Sequence, residues 1–284
     1  MIADSELILN ADGSIYHLNL LPGDIGDTII FVGDPDRVAM VSQYFDVIEL
    51  KKGKREFITH TGRLRNKRIS VISTGIGTDN IDIVLNEVDA LVNVDFETKT
   101  LKEELKSLAI IRIGTSGSIR GNLSIGTVLA SDYAIGFDAL MQYYVKPYSP
   151  MESRLKAAIE LQFSSLSFKP YVGRASEKLL AQFASDLPKG ITMTAPGFYG
   201  PQGRCVRSHN VYPDLIQRAQ NFIVEERQIT NLEMETAGIY ALSNMFGHHA
   251  ISINVILASR VMDEFCANPT EVIDQAIQKI MAKI

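Results

Sequence analysis

Two arginines in this sequence, Arg37 and Arg112, have positions that suit the binding of an anion, and a third basic residue, Arg55, lies between them in the sequence. Arg37 follows Gly33, which ends an apolar β-branched stretch, and the start of a helix beside a glycine favours a bound anion. Arg112 lies inside a second apolar stretch, where an unpaired charge would be costly, so it needs an anionic partner. The residues alone leave open whether that partner is a carboxylate or a bound phosphate. A solvated arginine in an ordinary strand–turn–helix is the alternative at Arg37.

Small and polar residues follow Arg112, in the order Gly114, Thr115, Ser116 and Gly117. We predict that they come just after the end of a strand. There they would offer a hydroxyl group and exposed backbone N–H groups to the same anion.

The segment Phe198–Arg204 combines an aromatic ring, a Gly-Pro turn, an amide and a guanidinium group. A flat heterocycle would stack on Phe198, while Gln202 reads an adjacent donor and acceptor and Arg204 binds a carbonyl group. The alternative is a surface turn that binds nothing.

Two carboxylates flank a methionine in Glu233-Met234-Glu235, where an apolar stretch ends. Glu235 could accept hydrogen bonds from two neighbouring sugar hydroxyl groups, and Met234 could pack against the sugar face. The alternative is a pair of acidic groups at the start of a helix, where the helix dipole favours them.

Short apolar stretches alternate with amphipathic segments, and these elements must position the candidate residues. The predicted strands are Thr28–Gly33, Arg68–Thr74, Leu108–Gly114, Thr127–Tyr133, Gly190–Ala195 and Ala250–Leu257. A helix is predicted over Asp79–Val92, because its apolar residues recur at helical spacing at Ile81, Val84, Leu85, Val88 and Leu91. The alternation predicts an α/β fold with a mainly parallel or mixed sheet, whose chemistry lies at the carboxyl ends of strands.

Helix boundaries and loops are also marked in the sequence. Asp34 and Asn268 are predicted N-caps, each followed by a proline at the first helical position. The segment Tyr133–Pro150 is predicted to be a long irregular loop. No linker or repeat divides the chain, so we expect one domain over residues 1–284.

The composition excludes several classes of function. The 284 residues include 28 Lys or Arg and 33 Asp or Glu, a net charge of −5, which argues against nucleic-acid or membrane binding. Hydrophobic residues make up 46%, too many for a disordered chain. The two cysteines, Cys205 and Cys266, are far apart, and the acidic start is unlike a signal peptide, so we expect a cytoplasmic protein. The sequence motifs of P-loop, zincin and α/β-hydrolase enzymes are absent.

The candidate motifs, taken in order, resemble those of the nucleoside phosphorylase family, and most of all its uridine phosphorylase branch. The resemblance extends from about His17 to the last helix. The matching pieces are His17, Gly33–Arg37, Arg55–Phe57, Ser73–Gly77, Arg112–Thr115, Phe198–Arg204, Glu233–Glu235 and Ser259-Arg260.

The resemblance implies a single α/β domain whose mixed sheet forms a distorted barrel flanked by helices. It also implies reversible phosphorolysis, in which uridine and phosphate give uracil and ribose 1-phosphate. The implied phosphate ligands are Gly33, Arg37, Arg112 and Thr115, with Arg55 from a neighbouring subunit. The implied ribose ligands are Met234, Glu235 and a neighbour's His17, and the implied base ligands are Phe198, Gln202, Arg204 and Arg260.

Catalysis by such a site would rest on positioning and electrostatics. Arg37 and Arg112 would hold the phosphate nucleophile, while Gln202 and Arg204 would stabilise charge on the leaving base. We expect no cofactor, since phosphate is a co-substrate. A potassium site is a candidate near Glu56, Ile76 and Asn80, although Asn80 stands where many uridine enzymes have a serine.

Sharing of sites between subunits implies a homodimer at least, and bacterial-type relatives are usually hexamers. The alternatives are a purine nucleoside phosphorylase, a nucleoside hydrolase and a non-catalytic nucleoside-binding protein. Ser259 stands where the purine branch has an acid, which disfavours purines. Gln202 and Arg204 would reject cytidine, because its exchanged donors and acceptors would leave buried polar groups unpaired. The motifs leave open whether thymidine and 2′-deoxyuridine are substrates, and whether the segment after Arg260 is a lid.

Overall fold

The computed structural model describes all residues, 1–284, as 14 strands, seven α-helices and two short 3-10 turns at Leu140–Gln142 and Gly200–Gln202. The strands are β1 (Thr28–Val32), β2 (Val47–Lys54), β3 (Phe57–Leu64), β4 (Lys67–Ser73), β5 (Val94–Asp95), β6 (Thr100–Leu101), β7 (Ala109–Ser118), β8 (Val128–Gly136), β9 (Tyr171–Arg174), β10 (Lys189–Thr194), β11 (Ile223–Val224), β12 (Arg227–Glu233), β13 (His249–Ser259) and β14 (Glu264–Phe265). The helices are α1 (Asp36–Ser42), α2 (Thr78–Asn93), α3 (Pro150–Gln162), α4 (Glu177–Phe183), α5 (Leu215–Asn221), α6 (Thr236–Phe246) and α7 (Pro269–Met281).

Five strands of the main sheet close into a barrel. β7 pairs in parallel with β13, β13 runs antiparallel to β8, and β8 and β12 each run parallel to β10. An antiparallel contact of β12 with β7, at Leu232 and Gly117, closes the ring. The sheet continues from β7 through β1, β4, β3 and β2. The expected mixed sheet with a barrel is thereby confirmed.

Helices cover the sheet with apolar faces, of which the sequence pattern predicted that of α2. The five apolar residues of α2 named above are all buried, and they pack with α6 against one side of the sheet. α1, α4 and α7 bury apolar residues in a second cluster, and α3 and α5 contribute to a third. Each fully buried Leu, Ile or Val contributes about 1.5–3 kcal/mol, so these faces fix the barrel between its helices. None of the helices is long and apolar enough to cross a membrane.

Two predicted boundaries were wrong, both because pairing between strands extends an element. β7 does not end at Gly114 but continues to Ser118, since β13 pairs with it as far as that residue and β12 pairs with its last part. Thr115 therefore lies in a strand and not after one. β8 continues to Gly136, so the loop predicted from Tyr133 starts later and contains a 3-10 turn.

The predicted helix caps are only partly present. α1 begins at Asp36, one residue after Pro35, and Asp34 still accepts the Asp36 N–H at 3.0 Å. α7 begins at Pro269 as predicted, but the Asn268 side chain makes no capping hydrogen bond. The other predicted strands and α2 are confirmed to within one or two residues.

Candidate active site

A cavity of about 1020 Å³ opens at the carboxyl ends of β1, β12 and β13, beside the second half of β7. Of the predicted phosphate, ribose and base ligands, all except His17 and Arg55 line this cavity. The predicted residues in its wall are Gly33, Arg37, Arg112, Thr115, Phe198, Gln202, Arg204, Met234, Glu235 and Arg260. The fold thus brings together motifs that are separated by more than 200 residues of sequence, from Gly33 to Arg260.

Arg112 is held between two carboxylates at the base of the cavity. It is 5% exposed, and its Nη2 lies 2.5 Å from Glu235 Oε2 and 3.1 Å from Glu233 Oε2. Its Nη1 donates to Asn254 Oδ1 at 2.7 Å. Burial disfavours the charge of Arg112, but the two glutamates outweigh burial and raise its pKa. Carboxylates of the protein therefore account for the buried charge, and the cavity adds a place for a further anion.

Gly114 makes room for this arginine. Residues 112 and 114 point to the same side of β7, because side chains alternate along a strand. A Cβ atom at Gly114 would lie 1.8 Å from Arg112 Nη1, so any other residue there would displace the guanidinium group.

Arg37 differs from Arg112 because its guanidinium group has no partner in the protein. It lies in the first turn of α1, lines the same cavity, and makes no side-chain hydrogen bond or ion pair. Burial lowers the pKa of Arg37, and the charge of Arg112 adds to this effect against the opposing charges of Asp34 and Glu235. A partly buried cation without a partner is suited to bind an anion that enters the cavity.

Glu235 connects Arg112 to the loop before α2. Its Oε2 faces Arg112, and its Oε1 accepts the Gly77 N–H at 2.8 Å. Burial raises the pKa of Glu235 and the nearby Glu233 raises it further, against the lowering effect of Arg112. Met234 lies beside it in the cavity wall. A carboxylate and a thioether next to two arginines suit a polyhydroxylated group bound beside an anion.

The turn after β10 forms the other end of the cavity. The Arg204 guanidinium lies 3.9 Å from the centre of the Phe198 ring, and its Nη1 donates to Gln202 Oε1 at 2.7 Å. Gln202 is buried, and the hydrogen bond from Arg204 orients its amide. Arg260 donates to the backbone oxygen atoms of Gln202 and Gly203, at 2.9 and 3.3 Å. One ring face of Phe198 thus carries Arg204, and Arg260 holds the backbone of the turn.

His17 and Arg55 lie outside the cavity of their own chain. His17 Nδ1 is 2.6 Å from Glu87 Oε1, next to α2. Arg55 is exposed in the turn between β2 and β3, where its φ is 56°. A single chain does not bring these two side chains to the other predicted ligands.

The candidate potassium residues Glu56, Ile76 and Asn80 all line the cavity near Gly75. Asn80 Nδ2 donates to Glu56 Oε1 at 3.3 Å, and the Ile76 side chain is exposed. No group of three or more His, Cys, Asp or Glu side chains is arranged to hold a metal ion.

Glu233 and Asn254 are two residues of the site that the sequence analysis did not assign to it. Glu233 is the first acid of the Glu-Met-Glu triplet, and Asn254 lies within the apolar stretch of β13. A polar side chain inside a buried strand was the available signal, because such a group must find a partner.

Comparisons with known proteins identify relatives of this chain. A family model described as "Phosphorylase superfamily" matches residues 27–283. The chain is 30% identical to uridine phosphorylase of Thermococcus kodakarensis over 256 residues, which are 89% of this chain and 80% of that protein. It is 34% identical to uridine phosphorylase of Treponema pallidum over 230 residues, 81% of this chain and 76% of that protein. A solved nucleoside phosphorylase of Trypanosoma brucei that shows uridine phosphorylase activity has a TM-score of 0.88 and 28% identity, covering 98% of this chain and 99% of that one.

Proposed function

This chain belongs to the phosphorylase superfamily, and we propose that it is a uridine phosphorylase, a pentosyltransferase that converts uridine and phosphate to uracil and ribose 1-phosphate. The observation that carries this proposal is one cavity with two arginines at one end and an amide–guanidinium pair at the other. Met234 and Glu235 lie in the same wall. These three groups of residues suit the phosphate, base and sugar of the reaction.

Phosphate is the nucleophile in this reaction. Arg37 brings an unpartnered positive charge, and Gly33 and Thr115 bring backbone and hydroxyl groups to the same part of the cavity. Arg112 lies at the base of the same cavity, held by the carboxylates of Glu233 and Glu235. Forked, charge-assisted hydrogen bonds from arginine would hold the phosphate dianion below C1′ of the ribose. An oxygen of phosphate then bonds to C1′ as the bond from C1′ to the base breaks.

The base leaves with the electron pair of the broken bond and then takes up a proton. The transition state has oxocarbenium character in the sugar and negative charge in the uracil ring, as in glycoside cleavage. Gln202 and Arg204 would bind the uracil edge, and their hydrogen bonds strengthen as that charge develops. The bond between Arg204 and Gln202 supports this role because it fixes the amide before the base arrives.

We extend the proposal to the subunit arrangement. His17 and Arg55 would reach the cavity of a neighbouring subunit, so the smallest active unit would be a homodimer, within a hexamer. Support for this arrangement comes from the position of both side chains outside their own cavity. A potassium ion near Glu56, Ile76 and Asn80 belongs to the same proposal, as does the absence of any other cofactor. The two unpaired cysteines, Cys205 and Cys266, favour a reducing location such as the cytoplasm.

Release of uracil from uridine, measured with and without added phosphate, tests the proposed function. We expect release that depends on phosphate, with little or no turnover of inosine or cytidine. Release without phosphate would indicate a hydrolase, and turnover of inosine in preference to uridine would indicate a purine enzyme. Binding of uridine without turnover would indicate a non-catalytic protein. Each of these outcomes would overturn the proposal.

A further inference from the structure

Glu233 faces the cavity, yet its carboxylate is fully engaged by the protein. It is 4% exposed at the end of β12, and its Oε1 accepts the Thr194 hydroxyl at 2.6 Å and the Thr236 N–H at 3.1 Å. Its Oε2 accepts the N–H groups of Glu235 and Thr236, both at 2.9 Å, and faces Arg112 Nη2 at 3.1 Å. A carboxylate has about four acceptor positions, so none remains for a substrate hydroxyl group.

The hydrogen bonds of Glu233 hold the backbone at Glu235 and Thr236 in place. α6 starts directly after Glu235, whose side chain does not cap that helix. Glu233 supplies the acceptor instead, and an acid at this position also complements the helix dipole. Because Glu233 holds the Glu235 N–H, the side chain of Glu235 is directed towards Arg112 and Gly77 and not towards the start of α6.

Glu233 also provides Arg112 with a second carboxylate beside that of Glu235. With Glu233 present, the Nη2 group of Arg112 contacts both glutamates. Without it, Arg112 would pair with Glu235 alone, and that pair would draw the Glu235 carboxylate away from the ribose. Glu235 accepts only from Arg112 and from the Gly77 N–H, so about two of its four acceptor positions remain for sugar hydroxyl groups.

We propose that Glu233 is a positioning residue that sets the orientation of Glu235 and Arg112, and thereby the recognition of the ribose hydroxyl groups. This inference rests on the proposed function. It assigns to Glu233 no contact with substrate. It predicts that loss of Glu233 changes the choice between uridine and 2′-deoxyuridine, because Glu235 distinguishes these two sugars.

Three variants test the inference. Glu233→Gln places an NH₂ group where the protein presents only donors. Thr194→Val keeps the side-chain volume and the charge of Glu233, but it removes the hydroxyl group that donates to Glu233 and accepts the Ala237 N–H. Thr192→Val is the matched control, because Thr192 is equally buried on the same strand and bonds to Ser131 and Asn231 instead. For each, kcat, KM for phosphate and the ratio of kcat/KM for uridine over 2′-deoxyuridine are measured, with the melting temperature.

We expect Glu233→Gln to lower kcat for uridine by roughly 10–100-fold, with a ratio that falls towards one and a KM for phosphate that does not decrease. Thr194→Val should show the same changes at smaller size, and Thr192→Val should keep the wild-type ratio. Thr194→Val decides the question if Glu233→Gln does not fold.

Two results would overturn the inference while wild-type turnover remains. A lower KM for phosphate with unchanged kcat and ratio would mean that Glu233 acts only through its charge. Equal losses in all variants with an unchanged ratio would mean that it serves only the stability of the barrel. A wild-type protein without phosphate-dependent turnover of uridine would instead overturn the proposed function, and this inference with it.

Discussion

At the scale of single residues, the two arginines of the cavity are held in different ways. Arg112 is bound by Glu233, Glu235 and Asn254, whereas Arg37 has no partner in the protein. Removal of a buried group with partners leaves those partners unsatisfied and costs stability, whereas a side chain without partners can be removed at little cost to the fold. The two arginines should therefore respond differently to substitution.

Arg37→Ala tests this difference. We expect KM for phosphate to rise roughly 10–100-fold, because a charge-assisted hydrogen bond is lost, with a melting temperature close to that of the wild type. Arg120→Ala is the matched control, since Arg120 lies outside the cavity and donates to the backbone oxygen atoms of Ile229 and Gln220. It should lower the melting temperature and leave KM for phosphate unchanged. An unchanged KM for phosphate in Arg37→Ala would contradict the proposed phosphate site.

We expect the ionisation of Glu235 to determine the pH dependence of the reaction at acidic pH. Burial, with Glu233 nearby, raises the pKa of Glu235 above 4.5. The ionised form is the acceptor for sugar hydroxyl groups, so activity should be lost as the pH falls through this raised pKa. We expect the acidic limb of kcat/KM for uridine, at saturating phosphate, to lie above pH 4.5. The residual activity of Glu235→Gln should lack that limb, and a wild-type limb at or below pH 4.5 would refute the assignment.

At the scale of elements, β7 determines where the guanidinium group of Arg112 lies. Its side chains alternate, so Arg112 and Gly114 share one side, and the guanidinium group lies over the glycine. The strand is paired on both sides, which leaves its backbone little freedom to move. A clash at Gly114 must therefore displace the arginine side chain.

Gly114→Ala is expected to lower kcat/KM for uridine at least about tenfold while the protein still folds. The added Cβ atom would lie 1.8 Å from Arg112 Nη1. Gly121→Ala provides the control, since its Cβ would meet its nearest atom, in Val261, at 3.7 Å. Activity and circular dichroism are measured for both variants. Wild-type activity in Gly114→Ala would show that the position of Arg112 is not critical.

The elements that the sequence predicted best are those with an apolar pattern of their own. α2 and the buried strands β1, β4 and β13 have such patterns, and their predicted bounds were nearly correct. The hairpin of β2 and β3 was not predicted, because no residue of β2 is buried. β2 is a strand because β3 pairs with it along its length, and that pairing is not visible in local sequence.

Contacts between distant parts of the chain also limited the prediction of the site. The predicted ligands were found from motifs, whereas the roles of Glu233 and Asn254 depend on partners in other strands, at Thr194 and Arg112. Asn254 meets Arg112 only because β13 and β7 are neighbours in the barrel. The sequence also could not show that Arg204 covers one face of Phe198, which depends on the fold of the turn.

At the scale of the whole molecule, the proposed site needs two chains. Arg55 and Glu235 would then belong to the same site but to different subunits. Arg55→Ala and Glu235→Ala proteins should each be inactive. After they are mixed under conditions that exchange subunits, about a quarter of the sites would carry neither substitution, and activity should return to that extent. Exchange without recovered activity would contradict the shared site, and a mixture of Arg55→Ala with itself is the control.

The stacked pair of Phe198 and Arg204 has a practical consequence, because the chain contains no tryptophan. Phe198 is 52% exposed at the cavity and has a cation 3.9 Å from its ring centre. An indole in its place would be the sole tryptophan fluorophore of the protein. Its emission would respond to any ligand that moves the guanidinium group or stacks on the free face. Occupation of the base end could then be followed optically, in real time and without turnover.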